Sequence, residues 1–277
     1  MTWSRFHFLC REMNEHLQTS ESPSVAFEHA SRCEAVHWYG PASKKRSLQF
    51  KLEERLKNTA SREKALIATS TYGALDFSEP IKALDKTKRA HTYLSYVTGI
   101  YLLASTVYMT KVIPAFMAMY ENLNFPVSDD MAWYVDHWNA ITATIALVLC
   151  FSILSSHTMK RISCLAIEPA RSLLFRLLMP SKIKASYQQL LSLMNYPIDY
   201  DESDNELYRY LNQFIHNPGR RHQEITAILS REKQVLQRRL EAYTTLLLTI
   251  SGVVIIYSIY CFINSAYQPL FTLSSVS

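Results

Sequence analysis

Charged and apolar positions segregate along this chain. Between Arg89 and Lys111 lie 21 uncharged residues, among them Tyr93, Leu94, Val97, Ile100, Leu102, Leu103 and Val107. Between Asp136 and Lys160 lie 23 more, with an unbroken apolar run from Ile145 to Phe151. No charged side chain follows Glu241, and Leu246 to Ile263 is almost continuously apolar. About 20 residues of α-helix cross a bilayer core, so each stretch is long enough to span. The first is the richest in Ser, Thr and Tyr. Its alternative is a helix buried in a protein core, for which about 10–14 apolar residues suffice.

The charged segments on either side read as helical, because Lys, Glu, Leu, Gln and Arg are common and alternating β-branched runs are scarce. Ser22-Pro23 has the form of an N-cap followed by proline at the first helical position. After the break at Tyr39-Gly40-Pro41, Leu48, Leu52 and Leu56 recur every four residues within a helix over 47–57. Further helices are expected over 61–72, 170–179 and 183–194, with Pro180 and Pro197 as stops. Ser203 and Glu206 have capping-box spacing for a helix running to Ile215. Asn217-Pro218-Gly219 ends it, and a last helix starts near His222 and enters the third apolar stretch.

Composition narrows the reading. Of 277 residues 48% are hydrophobic and 19% charged, which excludes disorder as the dominant state. The five glycines are too dispersed for a phosphate-binding loop or a dinucleotide fingerprint. Five irregularly spaced cysteines give no disulfide framework; Cys150 and Cys261 fall inside apolar stretches, and Cys10, Cys33 and Cys164 are expected to be free thiols in a reducing compartment. The N-terminus has no apolar h-region, so no cleavable signal peptide is expected. Residues 1–90 carry 15 basic and 11 acidic side chains and residues 158–241 carry 13 and 9, whereas 115–137 carries four acidic residues and no Lys or Arg. Lys82, Lys86, Lys88 and Arg89 flank one span, and Lys160 and Arg161 flank another. Positive charge marks the cytoplasmic side, so both large segments are expected inside, and the acidic loop and uncharged tail outside. Trp133, Tyr134 and Trp138 are expected to form an interfacial aromatic belt. The net charge of +5 is thus an orientation signal and not evidence for nucleic-acid binding.

The two charged segments are weakly alike. Gly73 and Gly219 each precede a charged helix, an uncharged span and a Pro-x-Phe, at Pro114 and Pro269, with Gly-to-Pro distances of 41 and 50 residues. An internal duplication and a coincidence between helical segments account equally well for so approximate a repeat. The stretch Val112-Ile113-Pro114-Ala115-Phe116-Met117-Ala118-Met119-Tyr120, followed by Phe125-Pro126, resembles the segment after the first span in the type II secretion F family. Arg231 through Glu241, the third span and Gln268-Pro269-Leu270-Phe271 are similar to that family's closing helix and tail. The acidic residue of the family's G-E-x-x-G pattern is absent at Ser70-Thr71-Tyr72-Gly73 and at Asn217-Pro218-Gly219.

The resemblance implies an all-α polytopic membrane protein with two cytoplasmic helical-bundle domains and three transmembrane helices. Its parts are cytoplasmic domain 1 (1–89), a span (90–113), a periplasmic loop (114–137), a span (138–158), cytoplasmic domain 2 (159–241), a span (242–264) and a periplasmic tail (265–277). It implies a non-enzymatic platform in the bacterial inner membrane for type IV pilus or type II secretion pseudopilus assembly. Such a platform couples a cytoplasmic assembly ATPase to pilin or pseudopilin insertion, alongside other inner-membrane assembly proteins and as a homo-oligomer. Pro114, Phe116, Met119, Pro126, Pro269 and Phe271 carry the motif. Among the exposed charges expected to face the ATPase, namely Arg220, Arg221, Lys233, Arg238 and Arg239, the first two are singled out; the alternative for all of them is a solvated positive-inside flank. A small polytopic transporter or channel subunit is the competing function.

No catalytic residues, cofactor or metal are assigned. His29, Cys33 and His37 are spaced for one helix face, but the two histidines would lie about 12 Å apart at about 1.5 Å per residue, too far to share an ion. Asp199, Asp201, Ser203 and Asn205 imitate the start of a calcium loop, yet Asp204 stands where glycine is needed and Tyr210 where glutamate is needed. Lys111 is placed to snorkel from the outer end of the first span, and Asp136-His137 reads as a solvated helix start.

Overall fold

A computed structural model describes residues 3–19, 21–43, 45, 47–75, 77, 85–123, 127, 129–165, 172–201 and 205–274. The described residues are helical and include three helices long and apolar enough to cross a membrane: Ser95–Asn122, Met131–Ser163 and Pro218–Ser265. The chain divides into two compact units. The first comprises Met1–Ala83 with His157–Glu241, the second Leu84–Ser156 with Ala242–Ser277. Where the sequence suggests two separate bundles, the two charged segments therefore fall in one unit.

The first unit is built from α1 (Ser4–Gln18), α2 (Pro23–Arg32), a 3-10 turn (Glu34–Tyr39), α3 (Leu48–Lys57), α4 (Arg62–Ala74), α8 (Leu173–Leu178), α9 (Ser181–Asp199), α10 (Glu206–Asn212) and the first part of α11 (Pro218–Ser274). Local chemistry sets the starts. The side chains of Ser47, Ser61 and Ser172 accept the backbone N–H groups of Phe50, Lys64 and Phe175, and Pro23 opens α2 behind an extended Ser22. The expected cap at Ser203 lies outside the described residues; Asn205 caps α10 instead, accepting Leu207 N–H at 3.0 Å. Helix α10 stops at Asn212, short of the expected Ile215, and Asn217-Pro218-Gly219 begins a helix instead of ending one: Asn217 Oδ1 accepts Arg220 N–H at 3.1 Å and Pro218 occupies the first turn of α11. Pro197 lies within α9, in its last turn, and Gly73 inside α4.

The core of this unit joins residues far apart in sequence. Tyr72 is fully enclosed, its ring 5.2 Å from Phe6 and its hydroxyl donating to Met194 O at 2.6 Å, so α1, α4 and α9 meet at one side chain. Arg55 pairs with Asp199 and Lys64 with Asp201, so two members of the calcium-loop imitation are spent on ion pairs to the first segment. Trp3 Nε1 donates to Cys164 O at 3.3 Å.

The second unit contains α5 (Asp85–Val107), a π turn (Tyr108–Val112), α6 (Ile113–Leu123), the first part of α7 (Asp129–Ser163) and the second part of α11. The first span continues past its expected end at 113, and α7 starts well before 138. Much of the segment read as an external loop is therefore helix. Pro114 has no N–H for a helical bond to Thr110 and its ring crowds that carbonyl, so the widened π turn falls just before it. Likewise α11 runs through Pro269 to Ser274 in place of a short tail.

A 3.5-residue repeat organises this unit. Along its part of α7 the positions 131, 134, 138, 141, 145, 148, 152 and 155 alternate by three and four, and each is buried or half-buried. Thr98, Tyr101 and Ser105 on α5 and Tyr108 at the start of the π turn keep the spacing and are buried, and Thr244, Ser251, Ser258 and Ser265, each at most 4% exposed, recur every seventh residue on α11. A 3.5-residue period suits left-handed packing of neighbouring helices. Lipid supplies little hydrophobic drive between helices, so small residues that let backbones approach and hydroxyls that bond across take its place. Ser152 and Ser251 lie 3.0 Å apart, and Trp138 Nε1 donates to Ser105 Oγ, itself 2.8 Å from Tyr134 OH. Ile100, Leu103, Leu147 and Ile256 point outward. Tyr134 and Trp138 thus belong to the seam, and of the expected aromatic belt Trp133 is the exposed member.

Candidate functional site

The predicted residues concentrate on α11, and the structure separates them. Ile225, Leu229, Leu236 and Leu240 form its buried stripe in the first unit. Arg221 lies one helical repeat before Ile225 and shares that face. It is 5% exposed, and its Nη2 donates to Thr71 Oγ1 of α4 at 3.3 Å. It is therefore enclosed and is no docking surface. Arg220, about 100° round the helix, is exposed and its guanidinium lies over the Phe214 ring at 4.7 Å. Arg239 donates to Lys182 O of α9 at 2.6 Å and also to Ser186 Oγ. Arg238 is exposed and Lys233 half-buried. Two arginines thus clamp the first-unit part of α11, one to α4 and one to α9. Tyr196 stands near the first; burial pushes its hydroxyl pKa up to about 12, and the Arg221 charge opposes that rise.

The motif residues lie in the second unit. Phe116 packs against the cluster of Tyr108, Ile113, Tyr120, Met131 and Tyr134, which closes the α6–α7 hairpin. Pro114 is exposed and Met119 half-buried. Pro126 lies outside the described residues, and the backbone at Pro269 and Phe271 is helical. Lys111 is exposed at the π turn, and His137 stacks on Trp133 at 4.6 Å.

A cleft of about 280 Å³ in the first unit is lined by Ser4, His7, Arg11, Tyr39, Gly73, Ala74 and Leu75. On His7, Nδ1–H donates to Tyr72 O at 2.9 Å and Nε2 accepts Phe77 N–H at 3.2 Å, so both ring nitrogens bond the backbone. Arg11 lies over Tyr39, and its Cγ sits 3.1 Å from where a Cβ on Gly73 would be. Nearby, burial raises the Glu53 carboxyl above its ordinary range, partly offset by the hydroxyl of Ser43 donating at 2.7 Å, and burial also raises the Cys10 thiol. His29, Cys33 and His37 do not share a helix, because α2 ends at Arg32; His29 stacks on His16 at 5.1 Å. Among the described residues no group of three His, Cys, Asp or Glu could hold a metal ion.

No protein-family model, curated protein or solved structure matches this chain. The burial of Arg221 was legible in its spacing from Ile225 and Leu229. Its partner Thr71, 150 residues away, carries no local signal.

Proposed function

We propose that the chain is a non-enzymatic platform protein of a bacterial inner membrane, serving assembly of a type IV pilus or a type II secretion pseudopilus. A cytoplasmic assembly ATPase supplies the energy, since the sequence has no phosphate-binding loop, and pilin or pseudopilin subunits are the cargo. The observation that carries the reading is α11: one helix of 57 residues, clamped by Arg221 and Arg239 in the first unit and packed along the hydroxyl seam in the second. A displacement of α4 or α9 is transmitted along such a helix without a loop to absorb it. In this reading the N-terminus and the first unit are cytoplasmic, the C-terminus is periplasmic, the protein works as a homo-oligomer beside other inner-membrane assembly proteins, and Arg220 is the ATPase-facing charge.

Deleting the gene and scoring surface pili and secreted proteins against solute uptake tests the proposal. Loss of pili or secretion with uptake intact is the expected result. Intact pili and secretion with impaired uptake would replace the platform by a transporter or channel subunit.

A further inference from the structure

Helix α8 is six residues long and two-faced. Phe175 and Leu178 are buried, with the Phe175 ring 5.5 Å from Tyr187 of α9. Leu173 and Leu177, one turn apart on the other face, are 78% and 81% exposed, and Leu174 beside them is exposed as well. Because α8 is fixed to α9 through Phe175, it cannot roll to hide these leucines. Three adjacent exposed leucines on a packed helix mark a contact surface.

The surrounding charge identifies the occupant. From Lys160 to Lys184 the sequence holds six Lys and Arg against the single acidic residue Glu168. Arg176 on α8 and Lys182 in the first turn of α9 are both exposed, and Lys184 Nζ donates to Arg176 O at 2.5 Å. A second copy would bring the same basic fringe against this one, whereas anionic headgroups attract it. The tether is short: α8 begins after residues 164–172, which reach at most about 30 Å from the end of α7 at Ser163. Apolar side chains bordered by Lys and Arg, next in the chain to a span, are the pattern of an interfacial anchor.

We propose that α8 docks on the membrane leaflet at which α7 ends, with Leu173, Leu174 and Leu177 at the headgroup–acyl boundary and Arg176 and Lys182 on anionic headgroups. This rests on the membrane-spanning character of α7 and is independent of the platform reading.

The test uses the full-length wild-type chain in nanodiscs of phosphatidylcholine and phosphatidylglycerol, doped with a lipid carrying a photoactivatable diazirine on its acyl chain. Adducts are mapped by mass spectrometry. The expected result is adducts on Leu173, Leu174 and Leu177 in addition to the outward faces of α7 and α11, falling at least threefold in pure phosphatidylcholine. Adducts confined to the spans would overturn the proposal, as would Lys182-to-Lys182 cross-links between copies in place of lipid adducts on α8. Equal labelling with and without phosphatidylglycerol would overturn the headgroup assignment. In a Leu173→Ser, Leu177→Ser variant the α8 adducts should disappear while those on α7 and α11 remain; persistence of α8 adducts would also overturn it.

Discussion

Reversing the charge of Arg220 and of its neighbour Arg221 should have unequal consequences. Arg221 is 5% exposed, and among the described residues no carboxylate pairs with it. Its hydrogen bond to Thr71, at 3.3 Å, is longer than the usual N–H···O range. The charge therefore contributes little, and the aliphatic stem most of what the residue gives. Arg221→Met keeps the stem and removes a buried ion, a change that is often neutral, so it should stay within about 1 kcal/mol of wild type. Arg221→Ala also loses two buried methylenes, Cγ and Cδ, at about 0.8 kcal/mol each, a cost of about 1.5–2 kcal/mol. Arg221→Glu leaves a carboxylate in a closed site with no cation, which costs about 3–5 kcal/mol. Arg220→Glu forfeits a partly exposed cation–π contact worth about 0.5–1 kcal/mol. Urea unfolding of the detergent-solubilised chain, followed by the fluorescence of buried Trp3, ranks the four variants. Equal stability of Arg220→Glu and Arg221→Glu would refute the enclosure of Arg221. A loss in Arg221→Met as large as in Arg221→Glu would show that the charge itself is needed. The ranking also decides which variant probes ATPase binding: Arg220→Glu changes the surface of a folded protein, whereas Arg221→Glu would abolish function by unfolding it.

Three further outcomes are expected. In the membrane bundle, Ser251→Ala removes a hydroxyl contact worth about 0.6 kcal/mol, whereas Ser251→Leu overpacks a buried seam position at a cost of about 1–3 kcal/mol; SDS-driven unfolding in mixed micelles should separate them, and equal midpoints would count against the seam. The folded-state pKa of Glu53 is raised above that of the unfolded chain, so the native state holds a proton that the unfolded state has released; stability should decline as pH rises from about 4.5 through the raised value and then level off. Glu53→Gln should flatten that decline, and an unchanged slope would assign it to another group. Reporter fusions after Asn124 and at the C-terminus should both read external, and an internal reading at either would invert or remove a span.

The spans, most helix starts and the broad helical class were legible because each depends on near neighbours: runs of uncharged residues, a serine three residues before the N–H it accepts, a proline in a first turn. Helix ends at prolines were less legible. Pro197 read as a stop, Pro114 as the first residue of a loop and Pro269 as part of a tail, yet Pro197 falls in the last turn of α9, Pro114 follows a π turn with helix on both sides, and Pro269 is carried within α11. Proline lacks a donor, which ends a helix only where nothing else holds the backbone on course. The grouping of the two charged segments depends on contacts such as Tyr72 with Met194 and Arg55 with Asp199, separated by more than 120 residues, and no periodicity reports such a meeting.

The hydroxyl seam lies between these extremes, and it bears on how α11 can act. Its heptad, Thr244, Ser251, Ser258 and Ser265, stands open in the sequence but is masked by the hydropathy of the run around it. A hydrophobic average scores these residues as weak spots in a span. A 3.5-residue period identifies them as the inner face, and the exposure of Val253, Ile256 and Tyr260 as the lipid face follows. A helix held by small hydroxyl residues sits in shallow holes with weak individual bonds of about 0.6 kcal/mol. Sliding α11 by one heptad, about 10 Å at about 1.5 Å per residue, would bring Ser258 opposite Ser152 in place of Ser251 with the same chemistry. The seam therefore penalises translation less than a core of interlocked leucines would, while the arginine clamps at Arg221 and Arg239 tie the shank of the same helix to α4 and α9.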